Sequence, residues 1–184
     1  MRQIILFIIL VVLLPVALAL QDLLPSIPPF QARIQLLPIV FCFGVLALPL
    51  VPALFFALAA ALVQGLALLQ IQSGQVELGL TAPVVFFLLW AIVFQMASEA
   101  TEGMRWEVHA FGSAMVTLTL IGGEFLALCC RRGGFPVEMT VLWRIAIPSV
   151  ASLLLAPLLY FLLRKLVPVF VEDEALPKKP EFRR

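Results

Sequence analysis

The sequence predicts an all-α membrane protein, a bundle of six transmembrane helices. Hydrophobic residues make up 63% of the 184-residue chain and charged residues only 12%, whereas about a quarter of the residues of a soluble domain are charged. Six apolar stretches approach or exceed the length that crosses a bilayer. The segments between them are too short to fold separately, so residues 1–170 are predicted to form one transmembrane domain.

A hydropathy window of about 19 residues locates the six stretches. They are Ile4–Leu24, Leu36–Pro49, Val51–Ile71, Leu80–Ser98, Val108–Cys130 and Trp143–Leu166. The first stretch also has features of a signal peptide, because Arg2 precedes an apolar run that contains Ala17-Leu18-Ala19. The run continues to Leu24, which favours a retained first helix.

The second stretch is short beside the roughly 20 residues of a perpendicular transmembrane helix. It meets the third stretch at Pro49-Leu50-Val51-Pro52. Two prolines this close remove backbone donors and favour a break in the helix. Spans two and three are therefore predicted to form a tight hairpin, with a re-entrant half-helix as the alternative.

The distribution of basic residues predicts the orientation, because Lys and Arg accumulate on the cytoplasmic side. With six spans, both termini share one side. That side then carries Arg2, Arg105, Arg164, Lys165, Lys178, Lys179, Arg183 and Arg184, and the other carries Arg33, Arg131, Arg132 and Arg144. Both termini are predicted to be cytoplasmic, and the polar tail 171–184 is predicted to be disordered.

Residues for catalysis or metal binding are scarce in this chain. His109 is the only histidine, and the aspartates are Asp22 and Asp173. In the predicted topology Asp22 lies on the opposite face of the membrane from His109, so no Ser-His-Asp triad is expected. Cys42, Cys129 and Cys130 lie toward the outer side, either as a disulfide or, as we favour, as small apolar residues. No enzyme activity, cofactor, metal site or nucleic-acid partner is predicted.

A cluster of polar residues is predicted at the cytoplasmic end of spans four and five. Glu102 with Arg105, and Arg105 with His109, stand at helical spacings that allow pairing on one face. Together with Glu99 and the interfacial anchor Trp106, they form a predicted solvated collar. A docking patch for a partner is the alternative.

Glu124 differs from these residues because apolar residues flank it well inside the fifth span. A carboxylate at the centre of a bilayer is costly and usually faces the bundle interior or marks function. Three roles are open: a hydrogen bond to a neighbouring helix, a site for a proton or cation, and an anchor for a partner helix.

Small side chains mark where helices approach closely. Ala57, Ala61 and Gly65 follow each other at intervals of four residues on the third span. Such a stripe permits close contact between helix backbones. We expect it to pack against another helix, within this chain or in a partner, including a second copy.

Several segments together resemble MreD, the family of rod shape-determining membrane proteins. They are Arg33-x-x-x-Leu-Leu-Pro before Phe41–Leu50, the Ala/Gly-rich Phe55–Leu69, the loop from Gln72 to Gly79, Phe135-Pro136, Ile147-Pro148-Ser149 and Leu162-Leu163-Arg164-Lys165-Leu166. The resemblance covers nearly the whole chain. The chain departs from the family's frequent G-x-x-x-D pattern, because no acid follows Gly65 before Glu77.

The resemblance implies a non-enzymatic scaffold in the bacterial inner membrane. MreD proteins associate with the single-span protein MreC and help couple the MreB filament to the synthase pair RodA and penicillin-binding protein 2. The alternative is a transporter subunit similar to the substrate-binding S-components of energy-coupling-factor transporters. Those proteins dock through an A-x-x-x-A stripe on the first span, a pattern that Ile4–Ala19 lacks.

Overall fold

The computed structural model describes residues 2–28, 32–67, 70–72, 75–77, 81–100, 106–132, 134 and 139–166. Its six helices are α1 (Arg2–Leu23), α2 (Leu37–Ala47), α3 (Leu50–Ala67), α4 (Thr81–Ala100), α5 (Trp106–Arg132) and α6 (Met139–Leu166). Each of the six helices overlaps one of the six apolar stretches, which confirms the all-helical class. The predicted tail 171–184 lies outside the described residues.

Three of the helices are long and apolar enough to cross a membrane. These segments are Gln3–Leu23, Trp106–Ala127 and Met139–Lys165. Many of their large apolar side chains are exposed, among them Ile8 and Val12 of α1 and Leu154 and Leu158 of α6. An exposed apolar surface of this extent is expected of helices that face lipid.

Helix α2 lies at the centre of the bundle. It packs against α1, α3, α4, α5 and α6, and every residue from Leu37 to Val45 is buried. A helix that is apolar on all sides is surrounded either by protein or by lipid, and α2 is surrounded by the other five helices. With 11 residues, α2 is about 16 Å long, roughly half the hydrocarbon thickness of a bilayer.

The proline pair between the second and third stretches acts as predicted. Helix α2 ends at Ala47, α3 begins at Leu50, and the two helices pack against each other. The prediction for the end of the third span was wrong. Helix α3 stops at Ala67, and Gln70–Gln72 pairs as a short antiparallel strand with Gln75–Glu77, where backbone pairing replaces the helical hydrogen bonds.

Aromatic rings of α3 and α4 pack around Phe41 of α2. Phe41 contacts the edge of Phe87 with ring centroids 4.8 Å apart, and it also neighbours Phe56 and Phe94. The packing leaves no room for a larger side chain at Gly44, because a Cβ there would overlap the ring of Phe56. This cluster fixes the positions of α2, α3 and α4 relative to one another.

Candidate functional site

Polar side chains from neighbouring helices satisfy the backbone groups at both ends of α2. At its N-terminus, the amide of Leu36 donates to Oε1 of Gln21 in α1 at 3.1 Å. At its C-terminus, Nε2 of Gln95 in α4 donates to the carbonyl oxygens of Val45 at 2.6 Å and Leu48 at 2.9 Å. Because no water is present in hydrocarbon, a short helix buried there requires such partners.

Helix α5 presents a buried polar stripe to α2 and α6. His109, Ser113 and Thr117 follow each other at intervals of four residues, and all three are fully buried. The hydroxyl of Ser113 donates to the carbonyl of His109 at 2.6 Å, and that of Thr117 to the carbonyl of Ser113 at 2.8 Å. Thr117 also lies 3.0 Å from Ser152 of α6. The hydroxyls of Ser113 and Thr117 thus donate to the backbone of their own helix, and the contact between Thr117 and Ser152 links α5 to α6.

His109 lies in the core and not in the predicted solvated collar, so this prediction was wrong. Its Nε2 lies 3.0 Å from the carbonyl oxygen of Ile39 in α2, and a carbonyl only accepts, so Nε2 carries the hydrogen. The ring also lies beside the rings of Phe43 and Tyr160. The physical reason is helical spacing, which places His109 on the same face as Ser113.

The other predicted collar residues are only partly described. Trp106 begins α5 and is exposed. Glu99 belongs to the last turn of α4, but its side chain lies outside the described part of the chain. Glu102 and Arg105 also lie outside the described residues. A solvated collar formed by Glu99, Glu102, Arg105 and Trp106 therefore stays a prediction.

The stripe of small residues on α3 is buried inside the helical bundle. Ala57, Ala61 and Gly65 are all buried, and α3 packs against α1, α2 and α4. Close approach of these helices accounts for the small side chains. The stripe is thus used within this bundle and is not accessible to a partner.

Glu124 is half-buried and contacts a residue of α3. Its Oε1 accepts a hydrogen bond from Nε2 of Gln64 at 3.4 Å. The other amide atom of Gln64, Oε1, is buried and has no hydrogen-bond partner. The glycines that precede Glu124 are unpacked, because a Cβ added at Gly122 or Gly123 would meet nothing within 4 Å. The carboxylate of Glu124 therefore lies beside an open stretch of α5, whereas Oε1 of Gln64 is enclosed by protein.

This arrangement can bind a hydrogen-bond donor, but it does not form a metal centre. Within the described part of the chain, no three His, Cys, Asp or Glu side chains converge. Cys42, Cys129 and Cys130 are free thiols. Asp22 pairs with Arg33 at 3.7 Å, and both side chains are exposed.

Comparisons with known protein families, with curated proteins and with solved structures found no match for this chain.

Sequence reasoning missed the residues that fix α2. The interval of four residues from His109 to Thr117 was a usable signal, because a polar stripe in a membrane helix predicts a buried face. Gln21, Gln64 and Gln95 gave no comparable signal. Each is a single uncharged polar residue, and its partner is known only once the helices are packed.

Proposed function

We propose that this chain is a non-enzymatic scaffold of the bacterial cell-elongation machinery, as its resemblance to MreD implies. In this proposal it crosses the inner membrane six times with both termini in the cytoplasm. It binds MreC and so links the MreB filament to peptidoglycan synthesis by RodA and penicillin-binding protein 2. Membrane lipid surrounds the rest of the bundle.

One observation supports a scaffold best: the buried polar residues hold helices together. Gln21 and Gln95 bond to the backbone at the ends of α2, and His109 bonds to its carbonyl at Ile39. Polar groups in an enzyme or transporter site converge on a ligand. Here most of them contact the protein backbone, which favours a rigid bundle that works through its outer helix faces.

Removing the protein from its own bacterium tests this function. We expect rod-shaped cells to become round, and a plasmid copy to restore the rods. Isolation in mild detergent followed by mass spectrometry should recover the single-span partner MreC. Rods that persist without the protein, together with no recovery of MreC, would reject the proposal.

The proposed orientation has a separate test. A reporter that is active only outside the cytoplasm is fused after Arg184, with a cytoplasmic reporter at the same place as the control. Both ends in the cytoplasm predict activity of the cytoplasmic reporter alone. Strong external activity would mean an odd number of crossings, as it would if α3 crosses the membrane and the short α2 does not.

A ligand-binding subunit of a transporter remains the second candidate, because three buried side-chain atoms have no hydrogen-bond partner within the described part of the chain. These atoms are Oε1 of Gln35, Oε1 of Gln64 and Nδ1 of His109. In this candidate the helices separate to admit a small molecule whose N–H or O–H groups satisfy such atoms. Native mass spectrometry of the purified protein distinguishes the two functions, since only this candidate predicts a retained small molecule.

A further inference from the structure

Two exposed tryptophans mark the two surfaces of the membrane along the bundle. Helices α5 and α6 pack in opposite directions, and Thr117 lies beside Ser152 at the same depth. Trp106 precedes Thr117 by 11 residues in α5, and Trp143 precedes Ser152 by nine residues in α6. The two exposed rings therefore lie at opposite ends of the bundle, about 30 Å apart. Because tryptophan is enriched at membrane surfaces and the hydrocarbon core is about 30 Å thick, Thr117 and Ser152 lie near its middle.

The connection between α1 and α2 reaches the same depth. The carbonyl oxygen of Gln35, two residues before α2, lies 3.4 Å from the hydroxyl oxygen of Ser152. Next to it, the amide of Leu36 donates to the side chain of Gln21, which belongs to the last turn of α1. Helix α1 therefore ends, and α2 begins, near the middle of the membrane.

Both helices lie on the side of this point that Trp106 marks. Helix α2 runs toward that surface, because Ile39 contacts His109, which is about one turn from Trp106. Helix α1 packs along α2. The chain between the two helices therefore enters the opposite half of the membrane. Its described parts, 24–28 and 32–36, contain no helix and are joined by an antiparallel backbone bridge.

A charged pair stands at the base of this connection. Asp22 directly follows Gln21, and its carboxylate lies 3.7 Å from the guanidinium of Arg33. The side chain of Asp22 is 63% exposed and that of Arg33 is 62% exposed, so the protein does not bury them. Such charges are costly in hydrocarbon, and non-helical backbone at this depth is stable only where it is buried in protein or lines a water-filled space. Water therefore has to reach this pair.

We propose that a water-filled vestibule enters the bundle from the Trp143 side and ends at Asp22 and Arg33, close to the middle of the membrane. The ion pair forms its floor, and its occupants are water and small hydrophilic ions. This inference goes beyond the proposed function and does not rest on it, because it uses only the depth and the exposure of these residues.

Reaction with a membrane-impermeant thiol reagent tests the vestibule. The probe is a small methanethiosulfonate with a trimethylammonium group, added to native membranes from one side or the other. Asp22→Cys is compared with Leu154→Cys, both in a protein that carries Cys130→Ala. Leu154 is the matched control, because it lies two residues from Ser152 and is 72% exposed on the apolar outer surface of α6. The unmodified protein, with its exposed Cys130 at the Trp143 end, sets the rate for a thiol in bulk water.

The expected result is a large difference between two positions at the same depth. Added from the Trp143 side, the reagent should modify Asp22→Cys within about tenfold of the Cys130 rate, and Leu154→Cys at least about a hundredfold more slowly, because a thiol in lipid does not ionise. The two buried cysteines remain in every protein, and their labelling is subtracted as background.

Three results would reject the vestibule. Rapid reaction at both Asp22→Cys and Leu154→Cys would place the membrane surface at the end of α1. Slow reaction at both would mean that protein or lipid encloses the charged pair. Reaction of Asp22→Cys only from the Trp106 side would give the opening the wrong direction. None of these results depends on the shape of cells that lack the protein, so the proposed function is judged separately.

Arg33→Cys gives a second measurement, made with the cationic reagent and with its sulfonate counterpart. Each rate is divided by the rate of Cys130 with the same reagent. The carboxylate of Asp22 that remains in Arg33→Cys should favour the cationic reagent by about threefold, and the Arg33 that remains in Asp22→Cys should favour the anionic one to a similar extent. The same preference in both variants would show that this ion pair is not the floor of the vestibule.

Discussion

The bundle has two halves that differ in how α5 is covered. In the half that contains α2, the inward face of α5 is packed: a Cβ at Gly112 would overlap the ring of Phe94. In the half beyond α2, the same face carries Gly123, which meets nothing. A glycine in this helix therefore serves internal packing in one half and leaves an open surface in the other.

The largest effect is expected from a bulky substitution in the packed half. Gly44→Leu should drive a side chain into the ring of Phe56 and destabilise the protein by about 3 kcal/mol or more, because a dense core does not expand. The melting temperature in mild detergent and the yield of monodisperse protein measure this. Gly122→Leu is the matched control and should behave like the unmodified protein. Equal melting temperatures for the two variants would remove the distinction between the halves.

A similar but smaller loss of stability is expected from a bulky substitution on α3. Ala61→Leu should push α3 away from its neighbours at a cost of about 2 kcal/mol, since Ala61 is fully buried. The neighbouring Leu62 is exposed, so Leu62→Ala serves as the control with little expected effect. If Ala61→Leu leaves thermal stability in detergent unchanged, the stripe faces lipid and its assignment to the packed half is wrong.

The packed half also depends on hydrogen bonds to the end of α2. Gln95→Leu keeps the size of the side chain but leaves the carbonyls of Val45 and Leu48 without their donor, at a cost of about 1–2 kcal/mol. Met96→Leu, at an exposed position of the same helix, is the control. Thermal unfolding in detergent should separate the two variants. A stable Gln95→Leu protein would mean that water or another group reaches these carbonyls.

The smallest effect is expected in the half beyond α2. Gly122→Ala should be neutral or stabilise the protein by up to about 1 kcal/mol, because alanine favours a helix and the added methyl group meets no neighbour. Gly112→Ala, made in the packed part of the same helix, should instead destabilise it. A loss of stability with Gly122→Ala, measured by the same thermal assay, would show that this surface is already packed.

The comparison also shows how far hydropathy predicts the fold. The six apolar stretches located all six helices, since burial in hydrocarbon depends on local composition. The proline pair at Pro49 and Pro52 located the break between α2 and α3, because proline acts on the backbone of its own segment. The end of α3 was missed, since Leu68 and Leu69 continue the apolar pattern as far as Ile71.

Local composition and the prolines are enough to predict the all-helical class, the order of the helices and the short length of the second one. The packing of the helices places α2 at the centre, bonds His109 to Ile39 and brings Gln64 to Glu124. Each of these contacts joins residues at least 60 positions apart. Such partners depend on how whole helices pack, and single polar residues carry no information on that packing.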